Sequence, residues 1–587
     1  LQGQDVLIIS AHDITTEQVE PIRQFVSRGG GLITVATGWG WEQLNPRHSL
    51  SADFPANQLL ATWGLIVTGG TLDRTGKVGF LTDPRPSPLV SANRALDTAF
   101  LYVRGQGILA PSDMEQVETV VTHAAEAMPA DDTLLMPRLR ELTHSMTGDI
   151  VPFPGKPVAK TDLAARLLLT LQINTLKAMP PSEVRAHPAG AIFPGEVPMA
   201  ARTTKLTIPI DTTVPDWHSL GLYAAPGALI TVGLPADAAN KGLGVRIGSH
   251  TDTLWDQDKW ERAPDISRSF ALNGIETKAA NAFGGLVYIT VPQNSKLGVV
   301  PVVISGAVLA PLYVRGQTTV QEWHDTIRKR PGPWAELASD KLILTVPSRV
   351  ARTLDDPEAL MQYWDAGMDA VADLAGIPHQ RKRPERIVTD QQISAGYMHS
   401  GYPIMTWLDV ANMDVDLPEL MKGDWGHWHE MGHNHQVGDW TFEGTGEVTN
   451  NMFSLYVNEK VGHIPGGLAH PNVQPAWQQK AIHDYLASGA PYEKWKSDPF
   501  LALTMYIQLR DAFGWDAYKK VFAEYRTLPD SERPKTDEDK RDQWMVRFSR
   551  TVGKNLGPFF QRWGVPTSQA ARDSIANLPG WMPAGMG

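Results

Sequence analysis

The sequence predicts a multidomain α+β chain: an N-terminal α/β domain, a helical connector, a β-sandwich and a mainly helical C-terminal region. Three observations carry this. The 587 residues exceed one ordinary core, since a domain averages about 150 residues. The apolar period changes along the chain, from strand–helix–strand to helix, then to short strands, then back to helix. Finally, the last helical region holds the pattern H-E-x-x-H at His429-Glu430-Met431-Gly432-His433. The period changes divide the chain into 1–105, 106–195, 196–345 and 346–587.

The first segment opens with an apolar strand, Val6-Leu7-Ile8-Ile9. Thr16 to Ser27 then carries Val19, Ile22, Phe25 and Val26 on one helical face. Gly29-Gly30-Gly31 breaks that helix, and Leu32 to Ala36 reads as a second strand, giving a βαβ unit. A phosphate-binding glycine loop precedes its helix, and these glycines follow theirs, so a nucleotide fingerprint is excluded. The segment resembles the glutamine-amidotransferase-like domain found ahead of some peptidase domains. Without any cysteine it cannot carry that family's nucleophile, which leaves a scaffold role.

Met114 to Ala127 and Leu163 to Leu176 have helical spacing, punctuated by Pro152-Phe153-Pro154 and Pro180-Pro181. From 196 the period shortens. Lys205 to Ile210, Ala228 to Val232, Gly244 to Gly248, Leu286 to Val291 and Val299 to Ile304 are short β-type runs between turn residues, the signature of a sandwich. Beyond 350 the helical candidates are Pro357 to Ala375, Asp424 to Gln436, Gly446 to Val461, Pro475 to Ala487, Pro499 to Phe513 and Trp515 to Tyr525. Asp424 reads as the N-cap of the motif helix and Gly438 as its stop.

Net charge is -11 with no long run of one sign, which argues against nucleic acid and anionic membrane surfaces as partners. Arg381-Lys382-Arg383, broken by Pro384, reads as a solvated loop. No cysteine occurs, so disulfides, thiolate nucleophiles and cysteine-ligated zinc are excluded. No apolar run approaches the roughly 20 residues that span a bilayer, so no membrane insertion is expected. No signal peptide is recognisable. The chain opens at Leu1, without an initiator methionine, inside a strand-like run, which reads as a fragment or processed product. The missing leader therefore says little about export.

Helical positions four apart share a face, so His429 and His433 can offer two imidazoles to one metal. Glu430 is rotated by about 100° from His429, beside the metal and not on it. A catalytic zinc takes three protein ligands and keeps one open position. Glu447, opening the next helix, is the leading third ligand, and Glu443 in the loop before it is the competitor. His427 and His435 turn away from the His429/His433 face and read as packing or supporting residues. Asp424, Asp439, Asn450 and Asn451 are candidates to accept the ligands' other ring N–H. In this chemistry Glu430 takes a proton from a zinc-bound water as it attacks a peptide carbonyl. Tyr402 and Tyr506 are candidates to steady the oxyanion, with buried packing as the alternative for each. Of the 19 tryptophans, Trp425, Trp428 and Trp440 crowd the motif, either as core or as platforms for a sugar.

The run His429 to Gln436, followed by Gly444 and Gly446-Glu447-Val448-Thr449-Asn450-Asn451, resembles the enhancin-like, mucin-degrading gluzincin peptidases, as do Gly396 to Ile404 and Phe513-Gly514-Trp515. Gly221 to Gly227 and Phe283 to Tyr288 extend the likeness into the β region, so that it covers roughly residues 200 to 530. The resemblance implies a zincin-type catalytic domain with Zn2+ held by His429, His433 and Glu447 and with Glu430 as general base. It implies a bacterial enzyme, secreted or on the cell surface, that cleaves mucin-type O-glycoproteins next to a glycosylated Ser or Thr. Trp425, Trp440 and Tyr402 are the candidate substrate-binding residues, and a monomer is expected. Two other readings stand beside this one. One is a general zinc endopeptidase without glycan dependence. The other is a non-catalytic glycan-binding module, since eukaryotic relatives of the family act as channel-associated partners.

Overall fold

The structure is a computed structural model that describes residues 3–45, 48–70, 87–129, 131–145 and 149–586. Strands β1 (Val6–Ser10) and β2 (Gly31–Val35) pair in parallel, joined by helix α1 (Thr16–Ser27). Ile22 and Phe25 of α1 are buried, with Leu7, Ile9 and Leu32 packed on the same small core. The turn after α1 needs a residue without Cβ, because a Cβ on Gly30 would lie 2.4 Å from the Phe25 ring. Helices α2 (Pro111–Ala127) and α3 (Leu163–Ala178) follow and share a core through Val117, Val121, Leu167 and Leu171.

Eight antiparallel strands come next: β3 (Thr203–Asp211), β4 (Asp216–Ala224), β5 (Ile230–Gly233), β6 (Gly244–Ile247), β7 (Arg268–Ala271), β8 (Glu276–Ala279), β9 (Gly285–Val291) and β10 (Val299–Leu309). Where turn spacing suggests a sandwich, these strands form one hydrogen-bonded sheet in the order β8-β5-β10-β4-β9-β6-β7, with β3 also on β10. The eleven-residue β10 pairs with three neighbours and is bulged between Ser305 and Ala307. A bulge bends its strand and increases twist. Val232, Val245, Ile289, Val302 and Ile304 accordingly meet in one apolar cluster.

A second, mixed sheet is built from β11 (Leu312–Val314), β12 (Trp334–Ala338), β13 (Leu342–Pro347), β14 (Glu385–Asp390), β15 (Met398–His399) and β16 (Ile404–Trp407), in the order β11-β12-β13-β14-β16-β15. The division expected after residue 345 falls inside β13, which pairs with β12 before it and β14 after it. The period of 2 visible up to 345 therefore belongs in part to the C-terminal region, whose helices pack on this sheet. Two wholly buried arginines join the sheets. Arg262 is bidentate to Asp390 at 2.6 and 2.7 Å. Arg386 pairs with Glu336 and donates to the Ser219 hydroxyl at 3.1 Å. The Arg386–Glu336 pair lies within the second sheet, so the contacts that cross are Arg386 to Ser219 and Arg262, from the loop after β6, to Asp390, and removing Asp390 would leave Arg262 buried and unpaired.

Helix α4 (Pro357–Ala375) packs against the motif helix α5 (Gly426–His435), which packs in turn on α6 (Gly446–Lys460). Both crossings are close enough to require glycine. A Cβ on Gly367 would sit 2.1 Å from the Trp428 ring, and one on Gly432 would sit 2.4 Å from the Asn450 carbonyl oxygen. The glycine within H-E-M-G-H thus lets α6 approach the two motif histidines.

Candidate metal centre

Trp428 and Met431 turn α5's apolar face into the core, where Trp428 lies 5.2 Å from the Trp364 ring. That anchoring leaves His429 and His433 half-buried on the opposite side. Glu447 comes to them from the first turn of α6, where its own backbone departs from helical geometry (φ -95°, ψ 21°). His429 Nε2 lies 3.1 Å and His433 Nε2 3.2 Å from Glu447 Oε2. Among the described residues, these three form a cluster whose ligand atoms all lie within 4.8 Å of one another. Glu443, the competing carboxylate, pairs with Lys496 at 2.7 Å instead.

The ring nitrogens are assigned by their partners. Asn451 Nδ2 donates to the Glu447 carbonyl, so Asn451 Oδ1 faces His429 Nδ1 at 2.7 Å as an acceptor. Gln436 Nε2 donates to the Gly446 carbonyl and the Thr449 hydroxyl, so Gln436 Oε1 accepts from His433 Nδ1 at 2.9 Å. Both Nδ1 atoms therefore carry hydrogen, and each neutral ring turns the Nε2 lone pair toward Glu447. Three acceptors converging this closely attract a proton or a cation. With a proton on Nε2 each imidazole would instead donate to Glu447, and that contact holds the Glu447 carboxyl far below its ordinary range. The Asn450 amide meets the same atoms, with Nδ2 at 3.1 Å from His429 Nε2 and 2.9 Å from His433 Nε2. Two imidazoles and one carboxylate, oriented by outer amide oxygens, match the donor chemistry of a catalytic zinc site.

Glu430 is buried, with Oε1 4.0 Å from His429 Nε2. Burial raises its carboxyl above the usual value, against the pull of His429 and His433. Of the four outer candidates expected for the ligands, only Asn451 accepts a ligand's ring N–H. Asp424 binds His427, Asp439 binds Arg533, and Asn450 faces the ligand atoms themselves. Gln436 was missed; its position three residues after His433, at the helix end, is the signal that could have found it.

The aromatic candidates separate. Trp425 is half-buried at the start of α5, its ring 4.8 Å from His470 and 6.1 Å from Phe500. Trp440 is a correction: it is wholly buried, stacked 4.4 Å from Phe522, and a ring without exposed surface cannot receive a sugar. Tyr506 is likewise core. Tyr402 lies under Arg383, 3.6 Å from guanidinium carbon to ring centre, and edge-on to Trp217. Its ring is therefore engaged by Arg383 on its face and by Trp217 of the eight-stranded sheet edge-on.

The edge strand β15 runs beside α5. The Met398 sulfur packs on Gly426, and Gly401 exchanges two hydrogen bonds of 2.9 Å with the Asn434 side chain. Between them His399 Nε2 meets Asp252 Oδ2 at 2.8 Å. Asp252 comes from the eight-stranded region, 147 residues away, and no sequence signal joins the two.

Residues 306–564 match the family model of peptidase M60, enhancin and enhancin-like, and residues 199–305 match the N-terminal domain of M60-like peptidases. Residues 3–79, where the sequence resembles an amidotransferase-like domain, match the model described as TRPM8, N-terminal domain. Among curated proteins, TRPM8 channel-associated factor 2 of Homo sapiens is 36% identical over 99% of this chain and 63% of its own length. The chain thus spans just under two thirds of the curated relatives it matches. Among solved structures, a conserved protein of unknown function from Bacillus anthracis aligns at 25% identity over 65% of this chain and 80% of its own, with TM-score 0.53. The IMPa metallopeptidase from Pseudomonas aeruginosa aligns at 15% identity over 98% of this chain and 76% of its own, with TM-score 0.53. That protein has also been solved with an O-glycopeptide, aligning with TM-score 0.50.

Proposed function

We propose that this chain is a zinc-dependent endopeptidase that cleaves mucin-type O-glycoproteins next to a glycosylated Ser or Thr. The observation that carries the reading is the convergence of His429 Nε2, His433 Nε2 and Glu447 Oε2 beside the buried Glu430 carboxylate. His429, His433 and Glu447 would hold the metal. When bound there, zinc supplies Lewis-acid chemistry, acidifying water and polarising a carbonyl. Glu430, with its raised pKa, takes the proton of the attacking water as the carbon–oxygen bond forms. It then returns that proton to the amide nitrogen as the carbon–nitrogen bond breaks. Asn451 and Gln436 keep both imidazoles in the tautomer the metal needs.

The glycan part of the reading rests on the IMPa neighbour solved with an O-glycopeptide and on the part-exposed Trp425 beside the motif. Such a substrate goes with a secreted or cell-surface location. The βαβ segment is taken as a non-catalytic scaffold, in line with its lack of cysteine. Incubation with an O-glycopeptide and its sugar-free twin, with and without chelator, tests the proposal by mass spectrometry. Cutting of the glycosylated peptide alone, abolished by chelator and by Glu430→Gln, is the expected result. Equal cutting of both peptides would leave a general zinc endopeptidase.

The TRPM8 channel-associated factors favour a second reading, in which the chain serves as a channel-associated partner. On that reading Glu430→Gln leaves the channel's response unchanged, and no peptide is cut.

A further inference from the structure

The metal cluster and Glu430 lack one element of amide hydrolysis: a donor for the carbonyl oxygen as it gains negative charge. Tyr506 is buried in the core, and Tyr402 is held between Arg383 and Trp217 with Arg386 against its side chain. Resting on the peptidase reading above, we propose that His399 is this donor and that Asp252, from the loop that follows β6, is its positioning residue.

The placement follows from the path of β15. Met398 lies against Gly426, and Gly401 is bonded to Asn434. The eight helical steps from Gly426 to Asn434 cover about 12 Å. Strand β15 covers Met398–His399, and Ser400 carries the chain on to Gly401, three steps that span at most about 10 Å. The two segments run side by side over that length, and His399, one residue on from Met398, falls level with His429, one residue before Glu430. Each of the two side chains feels the other's charge.

The His399 ring is fixed from behind. Its Nε2 lies 2.8 Å from Asp252 Oδ2, which also accepts the Ser394 backbone N–H at 2.6 Å. The Asp252 carbonyl in turn accepts from Arg262 at 3.0 Å, and Arg262 is locked to Asp390. This chain of buried contacts gives the Asp252 carboxylate a single position. The other ring nitrogen, Nδ1, lies 3.0 Å from the carbonyl of Ser400. Both partners are acceptors, so both ring nitrogens carry hydrogen and the imidazole is cationic. A neutral carbonyl is a weaker acceptor than a developing oxyanion, so substrate can take the Nδ1–H from Ser400. The His399 side chain keeps 27% of its surface exposed, where Asp252 keeps 7%. A donor whose ring is already fixed needs little further reorganisation to meet charge that develops beside it.

The consequence is that the catalytic apparatus is incomplete within the stretch that matches the M60 peptidase model. Asp252 lies in the preceding stretch, which matches the M60-like N-terminal domain.

The test uses the full zinc-loaded chain with His399→Ala, Asp252→Asn and the double variant. Two probes are compared: a phosphinic O-glycopeptide, whose tetrahedral anion mimics the oxyanion, and acetohydroxamate, which needs only the metal. With His399→Ala, kcat on a GalNAc-threonine peptide should fall about 10²–10³-fold while KM changes less than about threefold. Phosphinate binding should weaken by a similar factor, with hydroxamate binding and zinc content unchanged. Asp252→Asn should lower kcat less than His399→Ala does, and the double variant should match His399→Ala, since one residue acts through the other. Unchanged phosphinate binding, or equal loss of both probes, overturns the proposal. If the native chain cuts no peptide, the peptidase reading fails. The phosphinate arm then decides alone: selective loss in His399→Ala upholds His399 as the anion donor, and no loss rejects it.

Discussion

The two faces of the motif helix make the instructive comparison, because one ten-residue helix carries four histidines in two kinds of surroundings. On the cleft face, His429 and His433 each give one N–H to an amide oxygen and stay open on the other nitrogen. On the core face, His427 is clamped between Asp414 and Asp424 at 2.9 and 2.8 Å. His435 gives its Nδ1–H to the Met431 carbonyl and faces Arg381. Burial alone would lower His427, but the two aspartates push it up to about 10. For His435 burial and then Arg381 act together and push it down to about 3. The same side chain thus serves as ligand, buried cation or buried neutral base, according to whether amide oxygens, carboxylates or a guanidinium surround it.

The sharpest way to break this comparison is to remove chemistry from one face only. Glu430→Gln should lower cleavage of an O-glycopeptide about 10²–10⁴-fold with Tm and zinc content unchanged, as read by turnover, melting and elemental analysis. Trp440→Ala strikes the core side and should cost about 3–5 kcal/mol in a denaturant titration. Trp425→Ala should leave the melting transition in place and raise KM for the glycosylated peptide alone. Asn451→Ala and Gln436→Ala should each weaken zinc binding about 10–100-fold in a competition titration, through loss of the tautomer-fixing acceptor.

The pH response is the gentlest test. His427 has a folded pKa raised above its unfolded value near 6.5, so its contribution is complete below about pH 6.5 and is lost as pH rises through about 10. His435 has a folded pKa depressed to about 3, so its contribution is complete above about pH 6.5 and is lost as pH falls toward 3. Melting profiles should show His427→Gln flattening the alkaline decline and His435→Gln flattening the acid one. Parallel profiles for both variants and the native chain would contradict the assigned protonation states.

What was legible in the sequence was local. Helical spacing alone placed His429 and His433 on one face, and the βαβ period gave the first unit. Glu447 was reachable because it opens the very next helix. The remainder depends on distance in the chain. Trp440 lies close to the motif in sequence, as Trp425 does, yet Phe522, about eighty residues later, covers its ring. The strand Leu342–Pro347 reads as the end of the β region, and only its partner Glu385–Asp390 assigns it to the second sheet. Asp252 and His399 meet directly across 147 residues, and Arg262 with Asp390 holds Asp252 from behind, contacts that leave no local pattern.

Elemental analysis of the purified full chain, beside Glu430→Gln and His433→Ala, tests the central claim most directly. The account predicts one zinc per chain in the native protein and in Glu430→Gln, and loss of that zinc in His433→Ala. A native chain without stoichiometric metal, or a His433→Ala variant that retains it, would contradict the account.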